Sequence, residues 1–211
     1  MQEPAITATI AEQVATTGDK RVRRSDVSRR QILDVAAKLF RARGYTETSL
    51  RDIGKQAGMK AGSIYHHFVS KEQLATEVFG IGVQRVHDAV VTAVEGLGAT
   101  ASAQSKLQAA MAAHLETLLD ESDYTSAHIH CFPYVPKTLR DQLSTARREY
   151  EALWRVLLND FAADNSLPPG ADPSAARLVI LGALNWSLEW YDPARGKPSE
   201  LTQTLLAAFS R

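Results

Sequence analysis

The chain has 211 residues, of which 45% are hydrophobic and 23% charged, and this composition excludes the fibrous, collagen-like and intrinsically disordered classes. The longest apolar run, Leu178 to Leu184, is far shorter than the roughly 20 residues that a membrane span needs, and residues 1–18 lack the apolar stretch of a secretory signal. A single cysteine, Cys131, excludes an internal disulfide. We therefore expect a cytoplasmic protein with no membrane partner.

Positive charge is concentrated in the first third of the chain, although the net charge of the whole chain is zero. Residues 20–71 contain 13 Lys and Arg against 4 Asp and Glu, whereas residues 72–211 contain 11 against 17. This asymmetry is expected when one region contacts phosphates and the other does not. Residues 1–24 show no helical period and are predicted to form a disordered basic arm, for which contact with nucleic acid and plain disorder both remain open.

Three short helices are predicted after this arm, and they span Ser28–Gly44, Ser49–Gly58 and Ala61–His67. The first two begin with a capping-box pattern, in which a serine is followed three residues later by Gln31 or Asp52. Apolar residues then recur at helical spacing, and a glycine ends each of these two helices. A third capping box at Ser70 opens a long helix.

From Lys71 onward the sequence again predicts helices only, separated by breaks that are rich in Gly and Pro. The predicted helices are Lys71–Glu95, Ser102–Asp120, a broken stretch Tyr124–Val135, Leu139–Ala163, Pro173–Tyr191 and Pro198–Ser210. Strand patterns are absent, so the predicted fold class is all-α.

The segment Leu50–Phe68 meets the physical requirement of a helix-turn-helix, because a tight glycine turn joins two short helices and lets the second enter a major groove. Its residues resemble the signature of TetR-family repressors in TSLRDIGKQAGM at 48–59, GSIYHHF at 62–68 and the following SKEQL. Gly54 stands where the family pattern has Ala, and both residues are small. The resemblance covers residues 28 to about 80.

The resemblance implies an N-terminal three-helix helix-turn-helix DNA-binding domain at residues 25–71 and a C-terminal helical ligand-binding and dimerisation domain at residues 72–211. It further implies a homodimeric repressor that binds a palindrome-like operator in double-stranded DNA and is released by a small-molecule effector, without a cofactor. Dimers are also expected physically, since one helix-turn-helix covers only a few base pairs. An architectural DNA binder and a small helical enzyme are the alternatives.

The expected DNA-binding residues lie on the second helix of the motif or at the starts of helices. Small residues allow that helix to approach base edges, and free N–H groups at helix starts favour phosphates. Tyr65 is similar to the family tyrosine that contacts backbone phosphate. Thr48 as a helix cap and Lys71 as a solvated cation remain open alternatives. The predicted set is Thr48, Lys60, Ala61, Gly62, Ser63, Tyr65, His66 and Lys71.

In the family, the last two long helices form a four-helix dimer interface, which here implies Pro173–Tyr191 and Pro198–Ser210. The second of these helices carries an apolar stripe that fits such an interface and burial within the subunit equally well. The stripe consists of Leu201, Leu205, Ala208 and Phe209.

The family also implies an effector pocket among the later helices, where polar groups on apolar faces are the best candidates. The predicted lining is Met111, His114, Leu118, Phe132, Tyr150, Trp154, Asn185 and Trp186, although most aromatic residues at helical spacing belong to a core. Residues 185–196 resemble the end of the penultimate helix in TetR-type regulators of lipid and sterol-ring catabolism, several of which respond to acyl-coenzyme A thioesters. A bulky hydrophobic or acyl-CoA-like effector is expected. The candidate partners for the phosphates of a CoA moiety are Arg147, Arg148 and Arg155, and the alternative is that these arginines form a solvated helix face.

Enzyme and metal chemistry find little support in the sequence. His128, His130 and Cys131 place three potential metal ligands within four residues, but no second Cys/His cluster accompanies them, so we expect a buried cysteine and no metal site. Phosphate-binding loops, dinucleotide fingerprints and nucleophile elbows are absent as well. We therefore expect no enzymatic activity.

Overall fold

A computed structural model describes residues 25–119, 123–164 and 166–210, and this part of the chain is helical without any strand. The α-helices are α1 (25–43), α2 (Leu50–Gln56), α3 (Ala61–Ile64), α4 (Lys71–Glu95), α5 (Ala103–Leu119), α6 (Asp123–Cys131), α7 (Lys137–Gln142), α8 (Ser144–Ala163), α9 (Pro173–Trp190) and α10 (Pro198–Phe209). Short 3₁₀ turns occur at Phe132–Tyr134 and Pro193–Arg195. None of the described helices is long and apolar enough to cross a membrane. The predicted basic arm lies outside the described residues.

Local sequence signals set the ends of α2 and α4. The Ser49 side chain accepts a hydrogen bond from the backbone N–H of Asp52, and the Asp52 carboxylate accepts one from the N–H of Ser49, which confirms the predicted capping box. Gly58, at φ +67°, ends the α2 turn in the left-handed region that favours glycine. At α4, Ser70 caps the N–H of Gln73, but the Gln73 side chain accepts from Val69 N–H and not from Ser70.

Three helix boundaries differ from the sequence prediction. Helix α1 already includes residue 25, so Ser28 is not its N-cap, and Gln31 instead donates to the Ala57 carbonyl at 3.0 Å and ties α1 to α2. Helix α3 ends at Ile64 and continues as turns. The single helix predicted from residue 139 to 163 is divided into α7 and α8 at the buried Leu143.

Two hydrophobic cores organise the molecule. The first joins α1, α2, α3 and the first half of α4 to α6 and α7, with the ring centroids of Phe40 and Phe79 5.5 Å apart near its centre. The second core lies between the end of α4, α5, α8, α9 and α10, around the fully buried Trp154 and Phe161. Helices α4 and α6 cross at Gly82, where a Cβ atom would lie 2.4 Å from the Tyr124 carbonyl oxygen.

Candidate DNA-binding face and effector cavity

The second helix of the helix-turn-helix is anchored on one side and exposed on the other. Ile64 and Phe68 are fully buried in the first core. The opposite edge exposes Tyr65, at 57% of its surface, together with a set of small and polar residues. Of the predicted DNA contacts, this edge carries Lys60, Gly62, Tyr65 and His66 as exposed residues and Ser63 as a half-buried one. The backbone of Ala61 opens α3 beside them.

Thr48 and Lys71, predicted as phosphate contacts at helix starts, both make hydrogen bonds within the protein. Thr48 is 1% exposed, and its hydroxyl donates to the Gly44 carbonyl at 2.8 Å. The Lys71 ammonium donates to the Tyr45 carbonyl at 3.0 Å and lies 4.2 Å from the centre of the Tyr45 ring. Thr48 therefore stabilises the turn between α1 and α2, and Lys71 holds this turn against the start of α4.

A partly open cavity of about 90 Å³ lies between α4, α5, α6, α8 and α9. Larger grooves elsewhere on the described surface are open to solvent. At the cavity wall, the ring of His114 is fixed on both sides, since Nδ1 lies 2.6 Å from the Tyr150 hydroxyl and Nε2 lies 3.1 Å from Asn185 Oδ1. Burial lowers the pKa of His114 to about 4, although the Asn185 hydrogen bond opposes this shift, so the ring is neutral at pH 7.

Three of the predicted pocket residues line this cavity, namely His114, Tyr150 and Asn185. Met111, Leu118 and Trp154 are fully buried but are not part of its wall, and Phe132 lies behind it under the guanidinium of Arg147. Trp186 is 65% exposed and is not part of the wall of this cavity. Neighbouring residues on a helix point about 100° apart, so an inward Asn185 turns Trp186 outward.

Two further residues of the cavity wall, His128 and Arg147, are not among the eight predicted lining residues. His128 was weighed both as a pocket residue and as a metal ligand; it is 8% exposed and lines the cavity from α6. Burial, with the charge of Arg147 as a second cause, lowers the pKa of His128 to about 3. Arg147 is half-buried, whereas Arg148 and Arg155 are exposed on another face of α8. A polar residue in an otherwise buried stretch of α6 was the available signal for His128.

Helix α6 contacts both the cavity and the first DNA-binding helix. Thr125 and His128 line the cavity. At the start of the same helix, the Tyr124 hydroxyl donates to Asp34 of α1 at 2.6 Å, and Asp123 pairs with Arg41 of α1 at 3.0 Å. The buried Cys131 thiol also donates to a backbone carbonyl of α1, at 3.2 Å. A movement of α6 would therefore displace α1 or break these contacts.

The outer face of α9 is an unusually apolar surface. It exposes four large hydrophobic side chains, those of Leu178, Val179, Trp186 and Trp190. The apolar stripe of α10 is divided, because Leu201, Leu205 and Phe209 pack against the second core of the same subunit while Ala208 is exposed.

Comparison with protein families accounts for both halves of this architecture. Residues 32–78 match the model described as bacterial regulatory proteins of the tetR family, and residues 100–209 match the tetracyclin repressor-like C-terminal domain. The second match alone covers more than half of the chain. The chain belongs to the TetR family. Membership makes it a DNA-binding transcriptional regulator and not an enzyme.

Relatives of this chain include a transcriptional repressor and a regulator of fatty acid metabolism. The HTH-type transcriptional repressor KstR2 of Mycolicibacterium smegmatis is 29% identical over 173 residues, which cover 78% of this chain and 80% of the relative. The fatty acid metabolism regulator protein of Bacillus subtilis is 23% identical over 155 residues, covering 74% and 78%.

Solved structures of TetR-type proteins share the whole fold. AibR in complex with isovaleryl coenzyme A and operator DNA superposes with a TM-score of 0.76 at 22% identity, covering 86% of this chain and 97% of that one. KstR2 of Mycobacterium tuberculosis superposes with a TM-score of 0.68 at 24% identity, covering 87% and 95%. At these identities the likeness establishes the fold, including its all-helical C-terminal half.

Proposed function

We propose that this TetR-family protein is a homodimeric repressor of a palindrome-like operator, released when an acyl-CoA-like effector binds in the cavity. The observation that carries the proposal is the position of α6. Thr125 and His128 on this helix line the cavity, while Tyr124 and Asp123 are bonded to α1. A ligand that shifts α6 therefore acts on the orientation of the DNA-binding helices.

Operator binding is supported by the exposed edge of α3 and by the basic first third of the chain. Lys60 and His66 flank that edge, Gly62 leaves it unobstructed, and Tyr65 exposes a hydroxyl suited to a phosphate. The KstR2 relatives are named as repressors, which favours repression over activation. A bacterial regulator that binds operator DNA acts in the cytoplasm, where that DNA is.

Dimerisation is supported by the apolar outer face of α9. Contiguous exposed apolar surface of this kind typically marks a contact with another protein, and a two-fold dimer would pair the same face of two copies. Trp186 lies on this face and belongs to the proposed interface. The two α3 helices of such a dimer could then enter successive major grooves.

Effector release is supported by the size of the cavity. Sites for drug-sized ligands usually measure about 300 to 1,000 Å³, whereas this cavity measures about 90 Å³. A bulky effector can bind only if the surrounding helices move apart, so it favours a conformation in which α6 is displaced. A coupling of about 1 to 3 kcal/mol between the two sites would lower operator affinity roughly 5- to 150-fold.

An acyl-CoA effector is supported by AibR, whose complex contains isovaleryl coenzyme A. Exposed Arg148 and Arg155 on α8 are partners for the phosphates of a CoA moiety that extends out of the cavity.

The proposed function is tested by footprinting the purified protein on DNA upstream of its own gene, with and without saturated acyl-CoA thioesters of 4 to 12 carbons. We expect a defined footprint that disappears with at least one thioester. Tyr65→Phe should weaken operator affinity several-fold, while Tyr134→Phe, which alters an exposed tyrosine far from α3 in sequence, should not. Coating of any DNA without a defined footprint would identify an architectural binder instead.

The oligomeric state is tested by light scattering after size exclusion. The wild type is expected at twice the 23.1 kDa mass of the chain, and Trp186→Glu is expected to produce monomers. Tyr134→Glu changes another exposed aromatic residue and serves as the control. A Trp186→Glu protein that remains dimeric would remove the outer face of α9 from the interface.

A further inference from the structure

One buried polar atom in the cavity wall lacks a partner. His128 is 8% exposed, and its Nδ1 atom makes no hydrogen bond to any described residue. The histidine and hydroxyl groups beside it do have partners: both ring nitrogens of His114 are bonded to Tyr150 and Asn185, and the Thr125 hydroxyl donates to a carbonyl of α4 at 3.1 Å. Buried polar atoms of native proteins nearly always have a partner, so His128 Nδ1 marks a point where a bound molecule places a polar atom.

Arg147 determines the chemical character of that polar atom. Its guanidinium lies 3.8 Å from the centre of the Phe132 ring, which in turn packs 5.1 Å from the His128 ring. The contact from Arg147 to Glu151 is 3.5 Å long, so N–H donors remain available to a ligand. The pKa of His128 is far below neutrality, so the ring is uncharged and Nδ1 can carry the proton and donate. Two neighbouring donors select an oxygen acceptor.

The rest of the cavity is apolar and small. Its walls include Val83, Val86, Ile129 and Leu181. A volume of about 90 Å³ corresponds to roughly three water molecules and is less than a cavity of about 150 Å³ that accepts benzene. The part of a ligand that enters without displacing helices is therefore a short apolar group.

We propose that the cavity recognises the acyl end of its effector, through a carbonyl or carboxylate oxygen that accepts hydrogen bonds from His128 Nδ1 and from Arg147. A short apolar body next to this oxygen fills the space between α4, α6 and α9. The inference rests on the proposed function, because it assigns ligand chemistry to the same cavity. An acyl thioester and a free carboxylic acid present the same oxygen, and the experiment below separates them.

The test is titration calorimetry of the full-length protein with butyryl-, isovaleryl- and octanoyl-CoA, with the matching free acids, and with the matching S-alkyl-CoA thioethers. The thioethers replace the carbonyl by a methylene and keep the rest of the molecule. We expect at least one acyl compound to bind about tenfold more tightly than its thioether, the effect of one charge-assisted hydrogen bond. Binding of thioesters alone identifies the thioester as the source, and binding of the acids as well identifies the carboxylate.

Variants connect this preference to the proposed residues. His128→Phe keeps the ring but removes both nitrogens, so it should lose the preference for the acyl compound and retain thioether affinity. His130→Phe replaces an exposed histidine of the same helix and should behave as wild type. Arg147→Gln, at a half-buried position, is the second variant if His128→Phe does not fold, and it should also reduce the preference.

Three results would overturn the inference: no acyl compound binds the wild type, the thioether binds as tightly as the thioester, or the preference survives both His128→Phe and Arg147→Gln. The proposed function fails by different results, namely the absence of a defined operator footprint or of its release by any thioester of 4 to 12 carbons. An effector recognised without its acyl oxygen would leave the footprint and its release intact.

Discussion

The two hydrophobic cores of this regulator differ in which parts of the sequence form them. The second core is formed by helices of the C-terminal half together with the end of α4. The first core combines the DNA-binding helices with α6 and α7, which belong to the C-terminal half of the sequence. Residues 25–71 therefore do not form a core of their own, and α6 is packed against the DNA-binding helices while it also lines the proposed effector cavity.

The contact between α4 and α6 makes this shared membership possible. Gly82 lies where the two helices cross, and the absence of a side chain lets the Tyr124 backbone approach α4 closely. In addition, the Thr125 hydroxyl donates to the Gly82 carbonyl at 3.1 Å. The packing of α6 against α4, and with it the place of α6 in the first core, therefore depends on this close backbone contact. A larger residue at position 82 would disrupt it.

The largest effect is expected from Gly82→Ala. The new Cβ would lie 2.4 Å from the Tyr124 carbonyl oxygen and 2.8 Å from its carbon, and neither backbone atom can yield without moving α6. Overpacking of this kind typically costs about 1 to 3 kcal/mol, and a clash with backbone lies at the upper end. Urea unfolding at a fixed protein concentration should show the free energy of unfolding reduced by about 3 kcal/mol.

Gly80→Ala is the matched control on the same helix. A Cβ at Gly80 would meet only the Leu143 side chain, at an ordinary contact distance of 3.9 Å. Replacing a helical glycine by alanine normally gains about 1 kcal/mol, so this variant should be stabilised. If both alanine variants are stabilised, α6 can move away from α4 without cost, and the close contact at Gly82 does not hold α6 in place.

The next largest effect is expected from acidification, through the two histidines of the cavity wall. Burial lowers the pKa of His114 to about 4, and burial together with Arg147 lowers that of His128 to about 3, from 6.5 in the unfolded chain. Below pH 6.5 the unfolded chain takes up protons that the folded protein does not, so stability falls as the pH drops towards these values. From pH 8 to pH 5, each histidine should reduce the free energy of unfolding by about 2 kcal/mol.

Variants can assign this loss to individual histidines. His128→Phe should remove about half of the decrease between pH 8 and pH 5, whereas His130→Phe, which replaces an exposed residue, should leave it unchanged. Urea unfolding at fixed protein concentration across this pH range is the measurement. An unchanged decrease in His128→Phe would mean that the His128 ring is accessible to protons in the folded protein.

The sequence was sufficient for the DNA-binding unit because its signals are local. Capping by Ser49 and Ser70, the turn at Gly58 and the buried spacing of Ile64 and Phe68 all depend on residues within a few positions of one another. The same local reasoning failed at Gln31, whose capping-box pattern is real but lies inside a helix that includes residue 25.

The cavity could be predicted only in part because five helices build it. His114 and Asn185 were identified as polar groups on apolar faces, and they do meet across the cavity. Trp186, predicted beside Asn185 as a lining residue, is exposed and outside the wall of this cavity, because a step of one residue along α9 turns a side chain from the cavity to the outer surface. No local pattern in α8 or α6 shows that Arg147 and His128 approach the same space, because this depends on how the helices pack.

The smallest of the expected effects concerns the hydrogen bond between Tyr124 of α6 and Asp34 of α1. Tyr124→Phe removes the 2.6 Å hydrogen bond from the Tyr124 hydroxyl to the Asp34 carboxylate and leaves the buried ring in place. A hydrogen bond to a charged group contributes about 1.5 kcal/mol or somewhat more when both groups are protected from water, and this one is partly exposed. We expect a loss of about 1 kcal/mol in the free energy of unfolding, with Tyr134→Phe as the exposed control.

The same variant also tests how effector binding reaches the DNA. If α6 acts on α1 through this bond and the neighbouring Asp123 and Arg41 pair, Tyr124→Phe should reduce the ratio of operator affinities without and with effector, measured by fluorescence anisotropy. Gly82→Ala should change that ratio more strongly, because it displaces the whole helix. A ratio that is unchanged in Tyr124→Phe but altered in Gly82→Ala would assign the coupling to the packing of the first core, in which α6 contacts α1 through buried apolar groups.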